Sequence, residues 1–165
     1  MRSFLLILIL AFSITGCQQI NSKQSVAIND SVIVHQKKLM ASLETFVQAL
    51  ESKEMSAIEN GLEALQKSAN DGITAVKAME SPNCDDQFLP ASIELFDYYQ
   101  KAAETEYKTI GYLYGIDSIS YEQYDSLQVL IEDFKANQKS VNDRFLKAQR
   151  LFADNCDFKL VKHED

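Results

Sequence analysis

Residues 120–156 read SYEQYDSLQVLIEDFKANQKSVNDRFLKAQRLFADNC, and this stretch decides the fold. Its mainly apolar positions recur at alternating steps of three and four, the spacing of one helix face. These positions are Tyr124, Leu127, Ile131, Phe134, Gln138, Val141, Phe145, Ala148 and Phe152. Ser120 and Gln123 have the spacing of a capping box, so a helix is predicted to begin there. Gln138 is the polar exception on this face, and such a residue typically fixes how helices pair.

The same spacing continues upstream. It predicts a first helix over residues 26–51 and a second over residues 55–80, with Ser56 and Glu59 spaced as a capping box near the start of the second. The second helix contains Gly61 and Gly72, each costing about 1 kcal/mol relative to Ala. We therefore expect this helix to fray or bend first.

Prolines separate the second helix from a third. Pro82 stops the second helix because it lacks an N–H, and Pro90 fits the first turn of the third, which fades between Gly111 and Gly115. No segment alternates apolar and polar residues for long enough to predict a sheet. The fold class is therefore all-α, and the short connections favour an antiparallel up-down-up-down four-helix bundle.

The N-terminal segment carries a different signal. An apolar run ends in Ile14-Thr15-Gly16-Cys17, and it is too short to span a bilayer, which needs about 20 residues. These four residues resemble the lipobox of bacterial lipoproteins, in which the cysteine is acylated and becomes the mature N-terminus. The resemblance implies a signal peptide over 1–16 and a lipidated Cys17. The polar residues that follow predict a short tether, so that residues 17–25 form the lipidated cysteine and tether, and the helical spacing from Val26 onward predicts a bundle domain over 26–165.

Charge and the residue after the cysteine bear on location. Gln18 stands where an Asp would signal retention at the inner membrane, so the resemblance implies the outer membrane, on either its periplasmic or its outer face. The chain has a net charge of −8 and no basic stripe, which argues against nucleic acid as a partner. Attachment to the membrane is expected through the N-terminal lipid.

The other two cysteines test the topology. In an up-down-up-down bundle, Cys84 in the connection between the second and third helices and Cys156 after the fourth lie at the same end. Two cysteines brought together in an oxidising compartment favour a disulfide. The alternative is two unpaired cysteines, one in a loop and one buried at a helix end.

The chain contains few of the residue patterns that are typical of catalytic, cofactor or metal sites. Its histidines are His35 and His163, and the spacings that attach haem or bind a di-iron centre do not occur. The acidic pairs Asp85-Asp86 and Glu132-Asp133 are expected to be solvated and not catalytic. We predict no enzyme activity, no cofactor and no metal site.

Tyrosines concentrate around the hairpin between the third and fourth helices. Tyr107 and Tyr124 are in register with the helix faces, so we expect them to cap the core. Tyr112 and Tyr114 are the better candidates for exposure and for binding a protein or glycan partner, because tyrosine is enriched in recognition surfaces. The alternative is that the whole cluster serves packing.

Several segments carry a resemblance to a known family: residues 95–99 (LFDYY), 106–107 (EY), 145–149 (FLKAQ), 152–153 (FA) and Phe158. Together with the lipobox, they resemble an uncharacterised family of bacterial surface lipoproteins with small all-helical domains. The resemblance implies an envelope location and a helical fold, and it brings no activity with it.

These observations favour a lipid-anchored envelope protein that binds a macromolecule or has a structural role. The alternative is a carrier of a small apolar ligand, with a cavity inside the bundle lined by Phe46, Phe96, Phe134 and Phe145. A tightly filled interior would count against the carrier.

Overall fold

The structure is a computed structural model that describes residues 15–116 and 118–160, with side chains described from Ser22 onward. Its helices are α1 (Thr15–Ser52), α2 (Met55–Lys77), α3 (Phe88–Glu104), α4 (Glu106–Gly115) and α5 (Tyr121–Asn155). α3 and α4 are two parts of the predicted third helix. The described residues contain no strand, and the helices pack as a four-helix bundle, which confirms the predicted all-α fold.

α1 begins well before the predicted residue 26, so the structure differs from the expectation of a tether over residues 17–25. No proline or glycine interrupts the chain after Gly16 in this helix, and nothing local therefore stops it from continuing. Ser25 is fully buried, with its hydroxyl 3.5 Å from the Cys84 sulfur. The predicted signal peptide residues 1–14 and the Cys17 side chain lie outside the part that the structure describes.

α2 begins at Met55, as predicted. Its N-cap residue is Glu54, without a side-chain capping bond, so the capping box predicted at Ser56 and Glu59 was wrong. Lys53, with φ of 57°, lies in the turn between α1 and α2. α2 ends at Lys77 and not at residue 80, and its interior glycines are buried.

A buried carboxylate starts α3. The Asp85 Oδ2 atom accepts hydrogen bonds from the Gln87 N–H at 3.0 Å and from the Phe88 N–H at 2.8 Å. These bonds satisfy N–H groups that the first helical turn leaves unpaired. Asp85 is only 9% exposed, so the expectation of a solvated acidic pair was wrong for this member.

Thr105 separates α3 from α4. Its backbone leaves helical geometry at φ −123° and ψ −83°, and its hydroxyl donates to the Lys101 carbonyl oxygen at 2.8 Å. α4 then packs against α1, α2 and α5, whereas α3 packs on α2 and α5.

α5 begins as predicted. The Ser120 hydroxyl accepts from the Gln123 N–H, and the Gln123 side chain accepts from the Ser120 N–H. Gln138 donates to the Tyr99 hydroxyl at 2.9 Å, a polar pair that fixes the register between α5 and α3.

The bundle has two distinct ends. The base holds the α2–α3 connection and the end of α5, and the tip holds the α1–α2 turn and the α4–α5 connection. Within residues 15–116 and 118–160, no helix combines the length and the apolar character needed to cross a bilayer.

Candidate functional site

A disulfide between Cys84 and Cys156 lies at the base. The two sulfurs are 2.09 Å apart and the two Cα atoms 5.3 Å apart, so the topology brings the cysteines together as the sequence predicts. Phe88 and Phe152 stack beside this bridge with ring centroids 4.7 Å apart. The base is therefore closed by a covalent bond and an aromatic pair.

The tip carries the exposed tyrosines. Tyr114 is 40% exposed and Tyr124 is 50% exposed, and both line a hollow of about 270 Å³ together with Lys53. The remaining described lining residues are Leu113, Ile116, Ser118, Ile119, Leu127 and Gln128. We call this hollow with its two tyrosines the tip surface.

Tyr112 does not belong to the tip surface. It is 59% exposed, as predicted, but it lines a separate hollow of about 260 Å³ between α2 and α4, beside Met55 and Leu62. Positions two apart on a helix do not face each other. The structure therefore separates Tyr112 and Tyr114, which the sequence had grouped.

Tyr124 was misassigned by its spacing, whereas Tyr107 was assigned correctly. Tyr107 is 6% exposed and contacts the Phe46 and Phe134 rings. Tyr124 lies in the first turn of α5, and the first buried residue of that helix is Leu127. The spacing places Tyr124 on the side of α5 that is buried further along the helix. At Tyr124, however, this side of the helix lies beyond the end of the core.

The four phenylalanines proposed to line an internal cavity are all buried in packed surroundings. Phe46 contacts Tyr107, and Phe134 contacts Tyr98 and Tyr107 with ring centroids 4.7 to 5.6 Å apart. Phe145 packs on Phe88. The Phe96 ring touches the α2 backbone at Gly72, where an added Cβ would lie 2.6 Å from it. These rings fill space between helices, although Phe46 and Phe134 also line an open hollow of about 260 Å³ together with Tyr107 and Tyr114.

The polar groups considered for chemistry do not converge. Within the described residues, no group of three His, Cys, Asp or Glu side chains is placed to hold a metal ion. The pKa of Asp71 on α2 is lowered, chiefly by a hydrogen bond from Lys67 and to a smaller extent by the charge interaction with His35 of α1. Glu132 and Asp133 are exposed on α5, as expected.

Comparison of the chain with protein-family models, with curated proteins and with solved structures finds no match.

Proposed function

We propose that this chain is a lipid-anchored protein of the bacterial cell envelope, attached to the outer membrane, which binds a protein or glycan partner through the tip surface and has no enzymatic activity. The anchor is proposed from the lipobox-like residues 14–17. The envelope is also the kind of oxidising compartment in which a Cys84–Cys156 disulfide persists.

One observation carries the binding part of the proposal: the exposed tyrosines of the tip surface lie at the opposite end of α1 from Cys17. At a rise of about 1.5 Å per residue, α1 places its end at Ser52 roughly 50 Å from Cys17. A domain anchored through Cys17 would then present Tyr114 and Tyr124 away from the membrane. Tyrosine offers a large contact area with few rotatable bonds, which suits recognition.

The anchor is tested on the N-terminal peptide of protein purified from cells that process lipoproteins. Mass spectrometry is expected to find an acylated Cys17 as the first residue, and Cys17→Ala is expected to lose the acyl mass and the membrane association. A mature N-terminus elsewhere, or an unmodified Cys17, contradicts the anchor.

The tip is tested with a photo-crosslinking amino acid in intact cells, placed at Tyr114 or Tyr124 in separate variants. The matched control position is Val129, another large exposed hydrophobic residue, which is 59% exposed and lies further along α5. We expect a discrete crosslinked product from both tip positions and none from Val129. The paired change Tyr114→Ala with Tyr124→Ala should reduce recovery of the same partner, whereas Val129→Ala should not. Equal crosslinking from all three positions would show that the tip surface has no special role.

A further inference from the structure

A large hollow lies away from the tip, between α1 and residues 158–160. It measures about 560 Å³. Successive helices in the bundle pack against each other, whereas α1 and α5 make few close contacts. This leaves a groove, which we call the basal groove, lined by Val26, Asn29, Ile33, Val34, Gln149 and Phe158.

The far wall of the basal groove is a fixed piece of chain. Asp157 has φ of 53°, and the Phe158 N–H donates to the Ala153 carbonyl oxygen at 3.0 Å, which together form a Schellman ending of α5. The Phe158 ring packs on Phe152 at 5.3 Å. These contacts fix Phe158, and Lys159 and Leu160 line the same groove opposite α1.

The walls are apolar and accessible. Val34 is 50% exposed and Val26 is 37% exposed, and both lie on the α1 side with the partly buried Ile33. Phe158 and Leu160 face them from the tail. An apolar chain laid in the groove would cover surface that is otherwise left in water.

An amide pair lies among these apolar walls. Gln149 donates to the Asn29 side-chain oxygen at 2.8 Å, and both residues are only 9% exposed. Asn29 in turn donates to Asp30 at 3.2 Å. Within the described residues, the side-chain amide oxygen of Gln149 accepts no side-chain hydrogen bond, so the amide pair can still accept a hydrogen bond from a polar group in the groove.

The charges lining the basal groove differ from those of the chain as a whole. Among its described lining residues, Lys37 and Lys159 are basic and Asp30 is the single carboxylate. The whole chain has 16 basic and 24 acidic residues. The groove therefore combines an excess of positive charge with apolar walls.

We propose that the basal groove binds a single-chain anionic amphiphile of the fatty-acid class. The alkyl chain lies along Val26, Ile33, Val34 and Phe158, and the carboxylate pairs with Lys37 and Lys159. The volume lies within the roughly 300–1,000 Å³ of small-ligand sites. This inference does not depend on the tip surface or on its partner.

The test uses the full-length protein in phosphatidylcholine vesicles with a fatty acid that carries a photoactivatable diazirine. After irradiation, mass spectrometry is expected to find the label on the peptides that contain Val26–Lys37 and Phe158–Leu160. The methyl ester of the same compound, which lacks the charge, should label these peptides more weakly. Label spread evenly over the chain, or equal labelling by the ester, overturns the proposal.

Substitutions at exposed residues test the site without being expected to disturb the fold. The double change Lys37→Glu with Lys159→Glu should reduce labelling by about fivefold or more, because two ion pairs become repulsive. The control is Lys38→Glu with Lys147→Glu, which makes the same change in charge outside the groove and should leave labelling unchanged. Val34→Glu, which places a charge on the apolar wall, should also reduce labelling.

A final arm distinguishes a free fatty acid from a membrane surface as the natural ligand. Vesicles that also contain phosphatidylglycerol present anionic headgroups without a free chain. Groove labelling should persist in them at the same fatty acid concentration. Loss of the label in these vesicles would mean that the groove contacts an anionic bilayer, and the proposal would be wrong.

Discussion

Gly72 shows how a single residue can have a role opposite to the one its type suggests. The sequence predicted a weak point in α2, because glycine is a poor helix former. In the structure Gly72 is buried where α2 packs on the Phe96 ring of α3, and a Cβ added at Gly61 would lie 3.0 Å from the Phe46 Cα atom. The helix contains glycine because a larger side chain would hold its neighbours apart, which helix periodicity alone does not reveal.

We therefore predict that Gly72→Ala is destabilising. An added Cβ would lie 2.6 to 2.8 Å from three atoms of the Phe96 ring, well inside the usual separation of about 3.5 Å or more between carbons. Alanine gains about 1 kcal/mol in helix propensity, but overpacking a core costs about 1–3 kcal/mol, and Phe96 is fully buried. The free energy of unfolding in urea should therefore fall by up to about 2 kcal/mol.

Gly115→Ala is the matched control. Its Cβ would meet the flexible end of Met55, which can move aside, so we expect little change in stability. A stabilised Gly72→Ala protein would show that α2 and α3 do not pack as described.

A substitution at Asp157 is expected to increase stability, the opposite of the effect expected at Gly72. It adopts left-handed geometry, with φ of 53°, where glycine is the usual residue after a helix end. Asp157→Gly should raise the free energy of unfolding by up to about 1 kcal/mol, seen as a higher urea midpoint at unchanged slope. Asp154→Gly, inside α5, should instead lower it by a few tenths of a kcal/mol. If both substitutions changed the free energy of unfolding in the same direction, the assigned end of α5 would be wrong.

At the scale of the elements, the break between α3 and α4 was not predictable from periodicity. Both helices keep apolar residues at helical spacing through Thr105, so the pattern gives one continuous helix. The break depends on tertiary contacts, since Tyr107 must reach both Phe46 of α1 and Phe134 of α5. The capping box at Ser120 was predictable because its hydrogen bonds connect residues only three apart.

The aromatic cluster around this break should respond to alkaline pH. Burial, with a smaller contribution from neighbouring tyrosines and Glu106, raises the pKa of Tyr98 and of Tyr107 above the ordinary 10.0. The unfolded chain loses these protons near pH 10, whereas the folded protein keeps them to higher pH. Their contribution to stability is therefore complete below pH 10 and decreases as pH rises above it.

We predict that the melting temperature falls as pH rises beyond about 10, and that Tyr107→Phe makes this fall shallower. The measurement is thermal unfolding followed by circular dichroism between pH 8 and pH 11.5. The control is Tyr112→Phe, which removes the same atom from an exposed side chain and should leave the slope unchanged. An identical slope for Tyr107→Phe and the parent protein would argue against a buried Tyr107.

At the scale of the whole molecule, the sequence predicted the topology but not the surfaces. Four helices with short connections must alternate in direction, and this alone placed Cys84 and Cys156 at one end. Which side chains meet at the tip depends on the rotation of each helix about its axis. That rotation follows from contacts such as the close approach of Gly111 to Ile58, which the spacing of apolar residues does not specify.

The disulfide gives the last prediction, because it connects the topology to stability. It joins residues separated by 72 positions, and closing so long a loop restricts the unfolded chain much more than the folded one. Replacing both cysteines, as Cys84→Ser with Cys156→Ser, should lower the free energy of unfolding by about 4 kcal/mol by chain entropy. The double variant should still form the bundle, since the stacked Phe88 and Phe152 rings beside the bridge do not depend on it.

Urea unfolding of the parent protein with and without a reductant measures the same quantity independently, and the reduced protein should match the double variant. If the parent protein contains two free thiols by mass spectrometry, or if reductant leaves its unfolding unchanged, the bridge does not stabilise the molecule and the paired arrangement of the base is wrong.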